Sequence, residues 1–309
     1  MKLFAKKSLG QHFLNSTHVL RQIILAAHIQ KGESVLEIGP GTGVLTRALL
    51  DAGANVIAIE KDSRAVGMLE QDFFNEIKSG TLKIIEGDVL DPNILKTKIK
   101  SDQLSENSSS ENPESSNDSI IKPSHSGSLN CLILESSKYA LVANIPYYIT
   151  GAILEKFLEY EPRPNRMVLL VQKEVAQRIV ARDDKESVLS ISVKAFGTPK
   201  IIAEVPPGAF TPPPTVDSAI LSIENISDNL FRAKNFPDVS KDLDIPRFFR
   251  LVKTSFAHKR KFLARNLEVI FGQMGIEAIW KKLGLDPKIR AEDLKVEQWL
   301  EIAGYNSLN

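Results

Sequence analysis

The chain has 309 residues, 43% of them hydrophobic, and a formal net charge of +1. That length supports one large core, or a large domain with a small companion. The single cysteine, Cys131, excludes an internal disulfide framework and a cysteine-based metal cluster, and no metal site is expected. No run of about 18 apolar residues offers a membrane span, and the N-terminus MKLFAKKSLG lacks an apolar core of signal-peptide length. A cytoplasmic, monomeric protein with no membrane partner is the expectation.

In chain order, apolar runs at 34–38, 56–60, 82–85, 139–143 and 167–172 read as strands. Helical patterns fall at 19–27, 44–52, 63–78 and 152–160. This alternation predicts a parallel sheet covered by helices on both faces, an α/β Rossmann-like class. Helices near 173–181 and 187–196 follow. Two further runs, 201–205 and 218–223, flank a proline-rich loop and suit an antiparallel pair at the sheet edge. From about 242 the pattern turns helical, with 244–267, 274–283 and 296–303 as candidates. The expected division is a domain over 1–230 and a small all-helical one over 240–309.

Charge is unevenly distributed along these elements. Residues 1–31 hold five Lys or Arg and no acid, and residues 241–270 hold eight against three acids. Two basic regions suit a polyanionic partner as well as a solvated surface. Residues 97–130 break the pattern. The stretch SDQLSENSSSENPESSND carries five acids, seven Ser and three Asn, and buries too little to offset its ordering entropy. It reads as a disordered, tolerated insertion.

The sequence VLEIGPGTGVLTRALL sets Gly39, Gly41 and Gly43 between a strand and a helix. Glycines there let the backbone turn sharply and approach a ligand. Glu60 ends the second strand about 20 residues on, where an acid accepts hydrogen bonds from ribose hydroxyls. The third strand runs into EGDVLD, which puts Asp88 at the same sheet edge, suited to an adenine amino group. No lysine follows the glycines, so this is not a phosphate-cradling P-loop. A ribose-and-adenine ligand without a phosphate site suggests S-adenosylmethionine, with NAD as the competitor.

The fourth strand ends in LVANIPYYIT. An adenine amino group is a poor nucleophile because its lone pair is delocalised. The Asn144 side-chain oxygen and the Ile145 carbonyl suit its two hydrogens. Pro146 fixes the backbone that aims this carbonyl, and Tyr147 offers a face for the base. Tyr148 suits packing beneath the loop. Such a site works by positioning and by stabilising developing charge, and needs no strong general base.

These motifs closely resemble the ribosomal RNA adenine dimethylase family, over nearly the whole chain apart from the insertion. KKSLGQHFL resembles its N-terminal motif, and EIGPGTGVLT, IAIEKD, EGDVLD and NIPYYIT its cofactor and catalytic motifs in order. VPPGAFTPPPTVDSAI resembles the loop carrying a second aromatic, here Phe210, and SFAHKRKFLARNL the basic C-terminal region. The resemblance implies an S-adenosylmethionine-dependent methyltransferase sheet with a helical RNA-binding domain. It places cofactor contacts at His12, Leu14, Gly39, Glu60, Asp88 and Asn144. Base handling falls to Asn144, Ile145, Pro146, Tyr147 and Phe210, and phosphate contacts to Lys253, Lys259, Arg260, Lys261 and Arg265. Position 12 is His where some relatives have Asn. The Phe210 loop, SFAHKRKFLARNL and the similarly matching LGLDPKIRAEDLKVEQWLEIA favour the KsgA-type branch over Erm. That branch implies dimethylation of two adjacent adenines in the 3′-terminal hairpin of 16S rRNA, within the small ribosomal subunit or its precursor. An Erm-type large-subunit methylase, a NAD-dependent oxidoreductase and an assembly factor without catalysis are the alternatives.

Overall fold

The computed structural model describes residues 3–6, 9–92, 94, 138–159, 161–232, 243–258 and 260–305. In chain order the first elements are β1 (Phe13–Leu14), α1 (Thr17–Ala27), β2 (Ser34–Ile38), α2 (Val44–Asp51), β3 (Asn55–Glu60), α3 (Ser63–Asp72), α4 (Phe74–Ser79) and β4 (Leu82–Glu86). Then come β5 (Ala140–Asn144), α5 (Thr150–Glu159), β6 (Arg166–Gln172), α6 (Lys173–Val180), α7 (Val188–Lys194), β7 (Thr198–Val205), β8 (Phe210–Thr211) and β9 (Ser218–Glu224). Among the described residues, the helices α8 (Ile245–Ser255), α9 (Leu263–Leu283) and α10 (Val296–Gly304) follow. The proposed insertion at 97–130 lies outside the described residues.

Seven strands form one sheet in the order β4-β3-β2-β5-β6-β9-β7. The strands from β4 to β6 pair in parallel, and β9 runs antiparallel to both β6 and β7. The expected antiparallel edge pair is therefore present. The centre of β5 and β6 is buried on both faces, which is why their sequences are unbroken apolar runs. The chain builds outward from β2 to β3 and β4, then returns to place β5 on the other side of β2. That reversal opens a crevice at the carboxyl ends of β2 and β5, the place where open α/β sheets bind ligands.

Two helices expected from periodicity are broken by packing. The pattern at 63–78 splits at Phe73, whose backbone leaves helical geometry at φ −119°, ψ 27°. Its ring is buried beneath the glycine turn, and the Arg47 guanidinium lies 4.3 Å from the ring centroid. The basic stretch at 244–267 is two helices, because α8 ends at Ser255 and α9 starts at Leu263. The Asn266 side chain donates to the Ser255 carbonyl at 2.7 Å, satisfying one of the groups a helix end leaves open. α9 is itself kinked at Gly272.

Apolar side chains flank the sheet in two clusters. One of them continues into the C-terminal helices through Phe196, Phe231, Phe248 and Phe249, with ring centroids 5.1–5.9 Å apart. Among the described residues, no helix is long and apolar enough to cross a membrane.

Gly43 caps α2 at φ 76°, and a Cβ there meets the Phe73 ring at 2.5 Å. Gly80 has a similar φ of 80° but nothing within 4 Å of its Cβ position. Gly43→Ala is expected to lower unfolding free energy by about 2–4 kcal/mol, and Gly80→Ala by about 1 kcal/mol. Urea unfolding of both variants measures the difference; equal losses contradict the crowding beneath the turn.

Candidate active site

The crevice is lined by the 9–14 segment, the ends of β2 and β3, the glycine turn, residues 87–90, and residues 144–149. The turn is tied to the sheet at two points. Gly39 N–H donates to the Ile59 carbonyl at 2.9 Å, and Gly41 N–H donates to Glu60 Oε2 at 3.0 Å. Glu60 Oε1 accepts from the Asp62 N–H at 2.8 Å. One buried carboxylate therefore holds the glycine turn against the start of α3, and its remaining lone pairs stay available.

Asp88 is held in a comparable way. Its Oδ1 accepts from Leu90 N–H at 2.9 Å, and its Oδ2 accepts from Lys61 Nζ at 2.8 Å. The Lys61 ammonium, then the Leu90 N–H, keep the Asp88 carboxyl below its ordinary range. Lys156 from α5 fastens the same loop, donating to the Val89 and Asp91 carbonyls at 2.6 and 2.8 Å.

The N-terminal strap crosses this floor. Phe13 and Leu14 pair with Thr211 and Phe210, and Asn15 N–H donates to the Ala209 carbonyl at 2.9 Å. Asp62, with no exposed side-chain surface, anchors the strap from below. It accepts from Gln11 Nε2 at 3.3 Å and from Arg64 at 2.6 and 3.0 Å, and Lys6 stands 3.6 Å away. Arg64, foremost, holds the Asp62 carboxyl far below its usual range.

Asn144 ends β5 under the strap. Its Nδ2 donates to the His12 carbonyl at 3.1 Å, so its Oδ1 is left as an acceptor. Ile145 is buried, which leaves its backbone as the group it offers the crevice. Pro146 sits at φ −57°, ψ 133° and starts a short 3₁₀ turn over Tyr147–Ile149. The Tyr147 hydroxyl lies 2.6 Å from Ser218 Oγ, and its ring stacks with His12 at 5.9 Å between centroids, 18° from parallel. Burial pushes the Tyr147 phenol up.

The structure thus gathers His12, Leu14, Gly39, Glu60, Asp88, Asn144, Ile145, Pro146 and Tyr147 around one crevice. Phe210 stands apart. It is 3% exposed, packs in the core beneath the β1–β8 pair and is not among the lining residues. Tyr148 does not pack beneath the loop but is 66% exposed, with its ring edge close to Gly10 of the strap. Lys253 pairs with Glu155 at 2.9 Å. Arg260, Lys261 and Arg265 are exposed, with no ion pair to an acid among the described residues, and Lys259 lies outside those residues.

Sequence reasoning missed Glu37, Lys61 and Ser218. Glu37 had a signal, since it is the one charge inside the apolar run VLEI of a central strand. It lines the crevice at 1% exposure, and neither carboxyl oxygen has a hydrogen-bond partner among the described residues. Burial pushes its pKa up to about 8. The Thr46 hydroxyl beside it offsets this in part, and the Glu60 charge adds to it. Glu37 is therefore largely a neutral acid at pH 7.

The chain was compared with known proteins. Residues 3–307 match the family model described as ribosomal RNA adenine dimethylase. The chain belongs to the ribosomal RNA adenine dimethylase family. A relative in Dehalococcoides mccartyi, named ribosomal RNA small subunit methyltransferase A, is 35% identical over 96% of this chain and 87% of its own length. A protein of the same name in Thermosynechococcus vestitus is 34% identical over 97% of this chain and 96% of its own. Among solved structures, a dimethyladenosine transferase from Plasmodium falciparum superposes with a TM-score of 0.66 at 24% identity, covering 94% of this chain and 96% of that one. The 23S rRNA methyltransferase ErmE gives 0.62 at 21% identity, covering 94% and 98%. Both likenesses are of fold, the Rossmann-like α/β architecture expected from the sequence.

A family site with a neutral buried acid has a pH signature. The Glu37 pKa is raised from 4.5 to about 8, so its contribution to stability is complete below about pH 4.5 and is lost as pH rises toward 8. Glu37→Gln is expected to gain on the wild type between pH 5 and 8, by up to about 1.4 kcal/mol per pH unit. Chemical unfolding at pH 5, 6, 7 and 8 measures this; parallel stability curves contradict a neutral Glu37.

Proposed function

We propose that the protein uses S-adenosylmethionine to dimethylate the exocyclic amino groups of two adjacent adenines in the 3′-terminal hairpin of 16S rRNA, in the small ribosomal subunit or its precursor. The observation that carries this reading is the fixed Asn144 amide. Its NH2 is engaged by the His12 carbonyl, so an acceptor oxygen is presented at the crevice beside Pro146 and Tyr147.

The crevice residues fit the cofactor. Glu60 keeps lone pairs for ribose hydroxyls after holding two backbone N–H groups, and the glycine turn leaves room for close backbone approach. Asp88 supplies an acceptor for an adenine amino group, and His12, Leu14, Gly39 and Asn144 complete the contacts. When bound, S-adenosylmethionine supplies an electrophilic methyl on a sulfonium that needs no activation.

The chain's own residues prepare the nucleophile. Asn144 Oδ1 and the Ile145 carbonyl accept the two hydrogens of the target amino group, drawing its nitrogen toward tetrahedral geometry and freeing the lone pair. Pro146 fixes the carbonyl's direction, and Tyr147 stacks the base after it leaves the helix. The loss of a proton from the methylated product goes readily to solvent. Catalysis is positioning and electrostatic stabilisation in a preformed site.

The unit over 1–230 carries this chemistry, and the helical unit over 240–309 docks the RNA through Lys253, Lys259, Arg260, Lys261 and Arg265. Exposed cations such as Arg260 and Arg265, with no acid paired to them among the described residues, are suited to phosphates. The relatives at 34–35% identity are named for the small subunit, whereas the likeness to ErmE is one of fold. That favours the small subunit over an Erm-type substrate. Asn144 and Tyr147, both lining the crevice, favour an active enzyme over an assembly factor without catalysis. A cytoplasmic, monomeric enzyme goes with this reading.

Labelled S-adenosylmethionine is expected to mark unmethylated small subunits and not large ones, as dimethyladenosine at two neighbouring positions mapped by mass spectrometry. Asn144→Ala is expected to lower kcat by about 100-fold or more, while RNA affinity, which rests on phosphate contacts, changes little. Label confined to large subunits overturns the substrate assignment, and full activity of Asn144→Ala overturns the mechanism.

A further inference from the structure

NIPYY ends in two neighbouring tyrosines, and the proposed mechanism uses one of them. Tyr147 is fixed at its far end, where its hydroxyl lies 2.6 Å from Ser218 Oγ on β9. Tyr148, the next residue, is 66% exposed, and its hydroxyl has no hydrogen-bond partner among the described residues. A lone exposed ring on an open surface needs no explanation. This one lines the crevice. Among the described residues it is the aromatic side chain that does so while more than half exposed.

The ring stands on a stiff support. Pro146 starts the 3₁₀ turn over Tyr147–Ile149, and the Ile149 N–H donates to the Pro146 carbonyl at 3.1 Å. The Thr150 hydroxyl donates to the Tyr147 carbonyl at 3.0 Å, and Ile149 packs against the core. The strap steadies the ring along one edge. A Cβ on Gly10 would meet Tyr148 Cε1 and Cδ1 at 3.3 and 3.4 Å, and Gly10 sits at φ 59°, where glycine is favoured. No other ring and no guanidinium lies over a face of Tyr148 among the described residues. The ring is held in place with its stacking surface open.

A base that leaves its stack uncovers a face of its neighbour, and this lost stacking is part of what flipping costs. In the adenine reading the neighbour is itself an adenine. An open aromatic ring at the mouth, one residue along from the ring that takes the target, replaces the lost stack. We propose that Tyr148 stacks on the adenine next to the one held by Tyr147, so that the site grips a two-base step rather than a single base. A purine overlaps a phenol ring more fully than a pyrimidine does. The contact therefore favours an adenine pair over an adenine beside a uridine.

The inference rests on the adenine reading of the site, and its test separates the two. Small subunits are reconstituted with 16S rRNA transcripts that carry the adenine pair, or a uridine in place of either adenine. Wild type, Tyr148→Ala and Tyr148→Phe are compared for kcat/KM at each remaining adenine, and for S-adenosylmethionine affinity by calorimetry. On the intact pair Tyr148→Ala is expected to lose roughly 5- to 100-fold in kcat/KM, the range for one base–aromatic stack, with cofactor affinity unchanged. Tyr148→Phe keeps the ring and is expected to stay near wild type. One of the two uridine replacements is expected to cost the wild type a similar factor, and to cost Tyr148→Ala little more, because both changes remove the same contact. Additive losses, a wild type indifferent to both replacements, or a Tyr148→Phe variant no better than Tyr148→Ala overturns the proposal. A fall in cofactor affinity as large as the fall in kcat/KM also overturns it, by making the ring a cover for the cofactor. Should the wild type methylate neither subunit, the function reading fails by itself. Quenching of 2-aminopurine in a single-stranded RNA still reads the ring: weaker quenching by Tyr148→Ala than by wild type supports stacking, and equal quenching overturns it.

Discussion

One side-chain amide, Asn144, joins the two halves of the site. It ends the central strand β5 and donates to the His12 carbonyl at 3.1 Å. That bond holds the N-terminal strap across the crevice and decides which end of the amide faces it. Most other contacts in the site reinforce the same arrangement. Asp62 pins the strap through Gln11 and Lys6, the β1–β8 pair fixes its far end, and Ser218 holds Tyr147 in place. An amide fixed in this way acts without reorganising when charge develops on a bound amino group.

The site is also costly in buried acid. Glu37, Glu60 and Asp62 are all buried within the first βαβα unit. Each is handled differently. Glu60 accepts two backbone N–H groups, and Asp62 is compensated by Arg64 and Gln11. Glu37 has no such partner among the described residues and stays protonated near neutral pH. Buried ionisable groups with perturbed affinity for protons, here Glu37 and Asp62, gather where a fold does chemistry, and both lie at or just under the crevice.

Much of the fold was legible in the sequence. Continuous apolar runs gave β2, β5 and β6 nearly to the residue, because strands buried on both faces carry an unmixed signal. The glycines of EIGPGTG and the tetrapeptide Asn144–Tyr147 fell where expected, since their chemistry is local. What stayed hidden depends on contacts far apart in the chain. Phe73 breaks a helix that periodicity extends, because its ring is needed under Gly43. Nothing around Ser218 announces that it meets Tyr147, 71 residues away. Phe210 has the residue type of a stacking wall, but its burial is a property of the β1–β8 pair and cannot be read from its motif.

The link between Asn144 and the strap is the claim on which the rest stands. Amide hydrogen exchange of residues 9–16 in wild type and Asn144→Ala tests it most directly. The account predicts faster exchange of the strap in the variant, with protection of β2, β5 and β6 unchanged. Equal protection of the strap in both proteins would contradict it.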